Sequence, residues 1–137
     1  SNSKNSAGDI YTVDIQLKIT LPESKRAKKW FDIIVALTAL LLSPILIFFV
    51  KNKGGLFANI GSVLFNKKTW VGYFPNTANG QVVLPRLKKG VLYPVTGGNA
   101  AVTDPAIMAR VNFIYARDYR ITDDLEVVLT NIRALGN

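Results

Sequence analysis

Cysteine and histidine are both absent from this chain. That excludes thiol nucleophiles, disulfide staples, histidine general bases and zinc sites built from either residue, and it suits a reducing compartment. Acidic residues are scarce across a long stretch. From Lys25 to Lys89 the single carboxylate is Asp32, against eleven lysines and arginines, a net charge of +10, whereas the rest of the 137-residue chain carries −2. Attack on a pyrophosphate needs an activated nucleophile and usually a metal to spread the developing charge, so this half lacks the groups for that chemistry. Asp118, Asp123, Asp124 and Glu126 lie later, with spacing that suits helix capping rather than a metal site. No cofactor is implied. Nucleic acid is a poor partner, because the aromatics are not interleaved with the basic residues as stacking platforms. The apolar run is not expected to be a cleavable signal, since it starts far from the first residue and is longer than a signal core. That first residue is not Met, and the chain reads as the C-terminal part of a longer protein.

What is present is the run Trp30 to Val50, almost wholly apolar with one Asp near its start. At about 1.5 Å of rise per residue, such a run reaches about 30 Å, the thickness of a hydrocarbon core. Lys25, Arg26, Lys28 and Lys29 precede it and Lys51 and Lys53 follow. Loops rich in Lys and Arg stay on the cytoplasmic face, so both ends ask for the same side. Ser43-Pro44 interrupts the middle, where Pro cannot donate to the preceding turn. These features predict a re-entrant hairpin broken at Ser43 and Pro44, with an ordinary kinked spanning helix as the alternative. Asp32, beside Lys28 and Lys29, is expected to form a structural ion pair or bind a backbone amide and so orient the hairpin. The flanking lysines suit anionic lipid head groups at about 1 kcal/mol each.

Around this insert the chain reads as α+β and membrane-associated. Ser1 to Gly8 is a polar linker. Thr12 to Leu21 alternates apolar and polar without a fault, predicting a half-buried strand that Pro22 ends. Gly54-Gly55 predicts a tight turn, and Leu56 to Phe65 a surface helix with Lys67 and Lys68 at its C-terminal end. Thr69 to Tyr73 is a candidate short strand. Pro75 to Gly98, rich in Pro and Gly, is expected to be loop with short extended pieces such as Val82 to Leu84. Thr103-Asp104-Pro105 starts a helix running to about Arg117. Thr122 is expected to cap a second helix bearing Leu125, Val128, Leu129, Ile132 and Leu135 at helical spacing, with Gly136 as its C-cap. Gly97-Gly98 reads as a turn, since no Lys-Ser/Thr follows as in a phosphate-binding loop. Arg86, Lys88 and Lys89, with Lys67 and Lys68, are candidates for a phosphate or a lipid head group; a solvated, lipid-facing patch is the plainer alternative. Trp30, Trp70, Tyr73, Phe74 and Tyr93 mark the membrane interface or a small core beneath it. Three regions result: 1–24, linker and strand belonging to an upstream domain; 25–55, the membrane hairpin; and 56–137, a membrane-surface region.

The order of motifs resembles a known family. A basic approach and the Phe31-Asp32 pair open an apolar helix broken by Ser43-Pro44. Asn59-x-x-Ser62-Val63-Leu64 and a Trp70-Val71-Gly72 turn follow, then Leu84-Pro85-x-Leu87-Lys88-x-Gly90 and the run Tyr115 to Leu129. Together they resemble the bacterial sugar transferases that move a hexose 1-phosphate onto polyprenyl phosphate, over roughly Lys25 to Leu135. The resemblance implies a re-entrant hairpin whose Ser-Pro break matches Ser43-Pro44. It also implies an adjacent Asp-Glu pair as nucleophile and magnesium ligand, and here Lys51-Asn52-Lys53-Gly54-Gly55 stands in that place. The Arg- and aromatic-rich stretch between hairpin and dyad is missing. Where relatives carry a phosphate-binding Arg in Gly-Pro-Arg-Pro, this chain has Gly72-Tyr73-Phe74-Pro75.

Three functions stay open on these grounds. The first is a non-catalytic, membrane-anchoring module derived from the sugar transferases, serving an upstream glycosyltransferase domain in cell-surface polysaccharide or lipopolysaccharide biosynthesis. The second is a divergent but active sugar-phosphate or glycosyl transferase. The third is a membrane scaffold with no sugar role. The first places the chain at the cytoplasmic face of the bacterial inner membrane, with membrane lipids and polyprenyl phosphate as partners and no catalytic residue of its own.

Overall fold

A computed structural model describes residues 17–75, 84–95 and 104–137. Its architecture is α+β: five helices and two parallel strands. The linker over 1–8, most of the strand over 12–21, Val82-Val83 and the Gly97-Gly98 turn lie outside the described residues.

Within the described part of the expected strand, Lys18–Thr20 forms a 3-10 turn instead, closed by Thr20 N–H donating to the Leu17 carbonyl at 3.0 Å. Pro22 explains the difference. Its fixed φ and missing N–H suit the first position of a helix, and Glu23 adds an acid to the first turn. Helix α1, Pro22–Leu41, therefore starts before residue 25 and runs through the boundary placed at 24.

The long apolar run does not continue as one helix. Helix α1 stops at Leu41 and α2, Ser43–Leu46, restarts with Pro44 in its first turn. The break follows from Pro44, which has no N–H for the carbonyl four residues back. A turn through Phe49 reaches buried Val50, and Asn52 caps helix α3, Lys53–Leu64, by accepting from Gly55 N–H at 2.9 Å. The expected Gly54-Gly55 turn is thus the first turn of α3, because Asn52 supplies the cap. The end of α3, Val63 and Leu64, lies beside Lys29, Asp32 and Ile33 of α1. Among the described residues no helix is long and apolar enough to cross a membrane.

Asn66 ends α3 with φ of 66°, while Lys67 N–H donates to the Ser62 carbonyl at 2.8 Å and Asn66 N–H to Val63 at 3.0 Å. This is the paired bonding that a left-handed residue permits at a helix end. Strand β1, Lys68–Val71, pairs in parallel with β2, Lys89–Leu92, in the register Thr69 to Gly90 and Val71 to Leu92. Strand β2 falls in the stretch expected to be loop. Helix α4, Pro105–Arg117, begins as predicted, with the Asp104 carboxylate accepting from Ala106 N–H at 2.9 Å. Helix α5, Ile121–Thr130, starts one residue before Thr122, which caps nothing; Arg120 holds the cap position. Gly136 is no helix C-cap either, since α5 ends at Thr130 and a 3-10 turn, Ile132–Ala134, intervenes. The core gathers Trp70, Val71, Leu56, Leu92, Ala36, Ala116 and Val127 around the two-stranded sheet.

The chain's last residues lie against α3. Asn59 Nδ2 donates to the Leu135 and Asn137 carbonyls at 2.8 and 3.0 Å, and a methyl added at Gly55 would collide with the Gly136 carbonyl. Gly55→Ala should therefore destabilise the fold by about 1–3 kcal/mol. On the same helix Gly61 has open space around its missing Cβ, so Gly61→Ala should stabilise by about 0.5–1 kcal/mol. Thermal melts of the two variants should move in opposite directions.

Candidate functional site

Helix α1 is turned inside out. Its fully buried positions, at helical spacing, are Ser24, Lys28, Asp32, Ala36 and Ala39, all small or polar, while Phe31 and Val35 are half-buried against the core. Its outward positions include Trp30, Ile34, Leu37 and Leu41. Ile45, Phe48 and Phe49 after the break, and Phe57 and Phe65 on the returning arm, are exposed as well. Leu41, Phe48 and Phe65 are 80%, 81% and 78% exposed. Single exposed apolar residues are ordinary, but so many along one arm and its return mark a surface made for contact.

The inward polar residues are each committed. Lys28 Nζ donates to Asp124 Oδ2 at 3.0 Å, to the Tyr115 hydroxyl at 3.0 Å and to the Val71 carbonyl at 2.8 Å. Asp124, fully buried, also accepts from the Tyr115 and Tyr119 hydroxyls at 2.7 and 2.8 Å. Burial and the neighbouring Asp124 carboxylate push both phenols up, so each stays a donor. Asp32 accepts from Thr69 Oγ1 at 2.6 Å and from Trp70 N–H at 3.2 Å, and its own carbonyl accepts the Trp70 indole at 3.0 Å. Burial pushes the Asp32 carboxyl up while Lys28 and these donors pull it back. The network joins α1, β1, α4 and α5. Lys28 and Asp32 thus hold the start of the apolar arm to the rest of the fold, Asp32 through Thr69 and a backbone amide, Lys28 through Asp124.

Above this network, α1 and the segment Pro85–Lys88 enclose a cleft of about 430 Å³. Of the residues singled out from sequence, Lys28, Lys29, Asp32, Arg86 and Lys88 line it, joined by Lys25. The Tyr73 hydroxyl, which burial pushes up to about 12, donates to the Pro85 carbonyl at 3.1 Å and holds the segment in place. Lys88 donates to the Asn66 side chain. Lys67, Lys68 and Lys89 are not brought to the cleft: Lys67 and Lys89 are exposed elsewhere, and Lys68 Nζ donates to Asn59 Oδ1 at 3.0 Å. Ser43 and Pro44 lie at the far end of α1.

Phe74 is buried against Tyr93 with ring centroids 4.8 Å apart. Asn112 clamps it through both backbone groups, accepting from its N–H at 2.8 Å and donating to its carbonyl at 3.0 Å. Chemically, the cleft offers cations and one carboxylate whose two oxygens are already hydrogen-bonded, a set suited to holding an anion. A second cleft, of about 500 Å³, has the opposite character, with Asp118, Asp123 and Glu126 around Val111 and Ile114. No group of three or more acidic residues among the described residues is placed to hold a metal ion. Tyr115, Tyr119 and Asp124 escaped the sequence reading as partners of Lys28, since Tyr119 lies past the end of α4 and no local spacing links the three. Compared with protein families, curated proteins and solved structures, the chain matches none.

Proposed function

We propose that this chain is a membrane-anchoring, sugar-transferase-like module, itself non-catalytic, that seats a bacterial glycosyltransferase at the cytoplasmic face of the inner membrane. There it serves cell-surface polysaccharide or lipopolysaccharide biosynthesis. One observation supports the anchor above the others: α1 packs its small and polar residues inward and leaves Trp30, Ile34, Leu37 and Leu41 outward. In water that arrangement wastes the hydrophobic effect, and in lipid it is favoured, since helix contacts there use small residues and polar groups while large apolar side chains face the acyl chains. The break at Leu42 and the return of the end of α3 to the side of α1 suit a hairpin that dips into one leaflet. The sugar-transferase part of the proposal rests on the order of motifs. The non-catalytic part rests on the missing Asp-Glu pair and on the committed oxygens of Asp32.

Because the chain has no cysteine, Arg26→Cys and Lys51→Cys introduce single labels before and after the arm. With protein added to preformed phosphatidylcholine vesicles, both variants should bind and both should react with a membrane-impermeant maleimide from outside. A protected label at position 51 alone would mean that the arm crosses. For the catalytic half, the chain incubated with polyprenyl phosphate and a panel of radiolabelled nucleotide sugars should leave no label in the lipid phase. Label transferred by this chain alone would make it a divergent transferase.

A further inference from the structure

We infer that the cleft between α1 and Pro85–Lys88 is a docking site for an acidic protein segment that carries aliphatic side chains among its carboxylates. The inference rests on the anchor proposal in one respect: with the apolar arm in lipid, the cleft is left in water.

Lys25, Lys29, Arg86 and Lys88 line the cleft, and none of the four forms an ion pair among the described residues. The cleft's other two charges are committed within the fold, Lys28 to Asp124 at 3.0 Å and Asp32 to Thr69 and Trp70. Like charges around one concavity repel until anions enter. The cations are spread along both walls. Lys25 and Lys29 stand one turn apart on α1. Arg86 and Lys88 lie on the facing segment, which the Tyr73 hydroxyl holds at the Pro85 carbonyl and the Asn66 side chain holds at Lys88. Arg86 adds a planar fork that takes a carboxylate by two hydrogen bonds.

Size, lining and position narrow the occupant. The volume of about 430 Å³ falls within the range of about 300–1,000 Å³ that admits a ligand of several groups, so a single small anion leaves most of the cleft unfilled. Among the described residues no aromatic ring lines it, and a nucleotide base finds no face to stack on. Ile19, Pro85 and Leu87 supply aliphatic wall instead. A peptide segment uses both halves, its carboxylates on the cations and its aliphatic side chains on that wall. Position favours protein over bilayer: Lys25 lies about 24 Å along α1 from exposed Leu41, at about 1.5 Å of rise per residue. With Leu41 in lipid, the cleft end of α1 faces the water, where a protein partner meets it.

The test is fluorescence anisotropy on the chain in a zwitterionic detergent, with three labelled peptides of equal length: alternating Glu-Leu, alternating Glu-Ser and alternating Lys-Leu. The Glu-Leu peptide should bind and the Lys-Leu peptide should not. The Glu-Ser peptide should bind about tenfold more weakly than Glu-Leu, the loss expected for one or two aliphatic contacts. Lys29→Gln with Arg86→Gln should weaken Glu-Leu binding about tenfold or more. Lys67→Gln with Lys89→Gln removes the same charge outside the cleft and should change binding by less than about twofold. Both pairs alter exposed side chains, and a thermal melt matching the parent verifies folding. No binding of the Glu-Leu peptide, equal binding of the two glutamate peptides, or equal loss in the two double variants overturns the inference. Displacement by inorganic pyrophosphate at constant ionic strength also overturns it, by making the cleft a phosphate site. Displacement by phosphatidylglycerol vesicles of equal charge does the same, by giving the cleft to the membrane surface. Peptide binding in detergent and vesicle binding by the arm are separate readouts, so this inference and the anchor fail independently.

Discussion

Asp124→Asn should cost about 3–5 kcal/mol and lower the melting temperature by about 10–20 °C. The substitution keeps the volume and removes the charge that Lys28 needs. Asp124 has no exposed surface and accepts three hydrogen bonds, from Lys28, Tyr115 and Tyr119. An amide would turn two donors toward groups that are donors themselves, leaving a buried ammonium without a counterion. Domains of this size are stable by about 5–15 kcal/mol, so the loss is a large part of the whole. Lys28→Met should also destabilise strongly, because the carboxylate then keeps only its two phenols. The double variant Lys28→Met with Asp124→Leu should recover most of the loss, since replacing a buried pair by apolar groups of similar volume is often near neutral. A double-mutant cycle followed by urea denaturation measures the coupling, and additive losses would show that the pair does not act as a unit. Alkali probes the same cluster. The Tyr115 and Tyr119 phenols hold their protons to higher pH in the native protein than in the unfolded chain, which ionises near about pH 10. Above that pH the native state binds more protons than the unfolded one, so stability present below it is lost as pH rises.

Local chemistry was legible in the sequence, and long-range pairing was not. Asp104-Pro105 fixed the start of α4, and Lys68–Val71 lies within a residue or two of the expected strand. The break at Ser43-Pro44 could be read because Pro acts on its own turn. Each of these is decided within a few residues. Thr12 to Leu21 misled at its described end because a period of two over so short a stretch does not distinguish a strand from an approach to a proline-started helix. Strand β2 was hidden among prolines and glycines, since Val91 and Leu92 become a strand only beside β1. Helix α3 was expected from Leu56, but Gly54-Gly55 was read as a turn before it, because nothing local marked Asn52 among the lysines as the cap that makes those glycines its first turn. The cleft divides the same way. Lys28, Lys29, Asp32, Arg86 and Lys88 could each be named as chemistry-bearing, yet their convergence depends on how Pro85–Lys88 lies against α1. That Lys28 meets Asp124, 96 residues away in sequence, has no local signal at all.

Leu37→Ser, Leu41→Ser and Phe48→Ser together should reduce partitioning into phosphatidylcholine vesicles by about a thousandfold or more while leaving the fold intact. Burying one large apolar side chain is worth about 1.5–3 kcal/mol, so three give roughly 4.5–9, and about 4.1 kcal/mol already corresponds to a factor of about 1,000. All three side chains are mostly exposed, so their removal takes nothing from the core. The melting temperature in water should stay within a few degrees, and the triple variant should be the more soluble protein. Ala36→Leu on the opposite side of α1 provides the contrast. Ala36 is fully buried against the core, and a larger side chain there should destabilise by about 1–3 kcal/mol. Opposite faces of one helix would thus carry separable properties, lipid partitioning outward and folding inward. If the triple variant partitions like the parent, the exposed face of α1 is not what enters the bilayer. If it instead unfolds, that face is packed against protein, and the surface described as free is an interface.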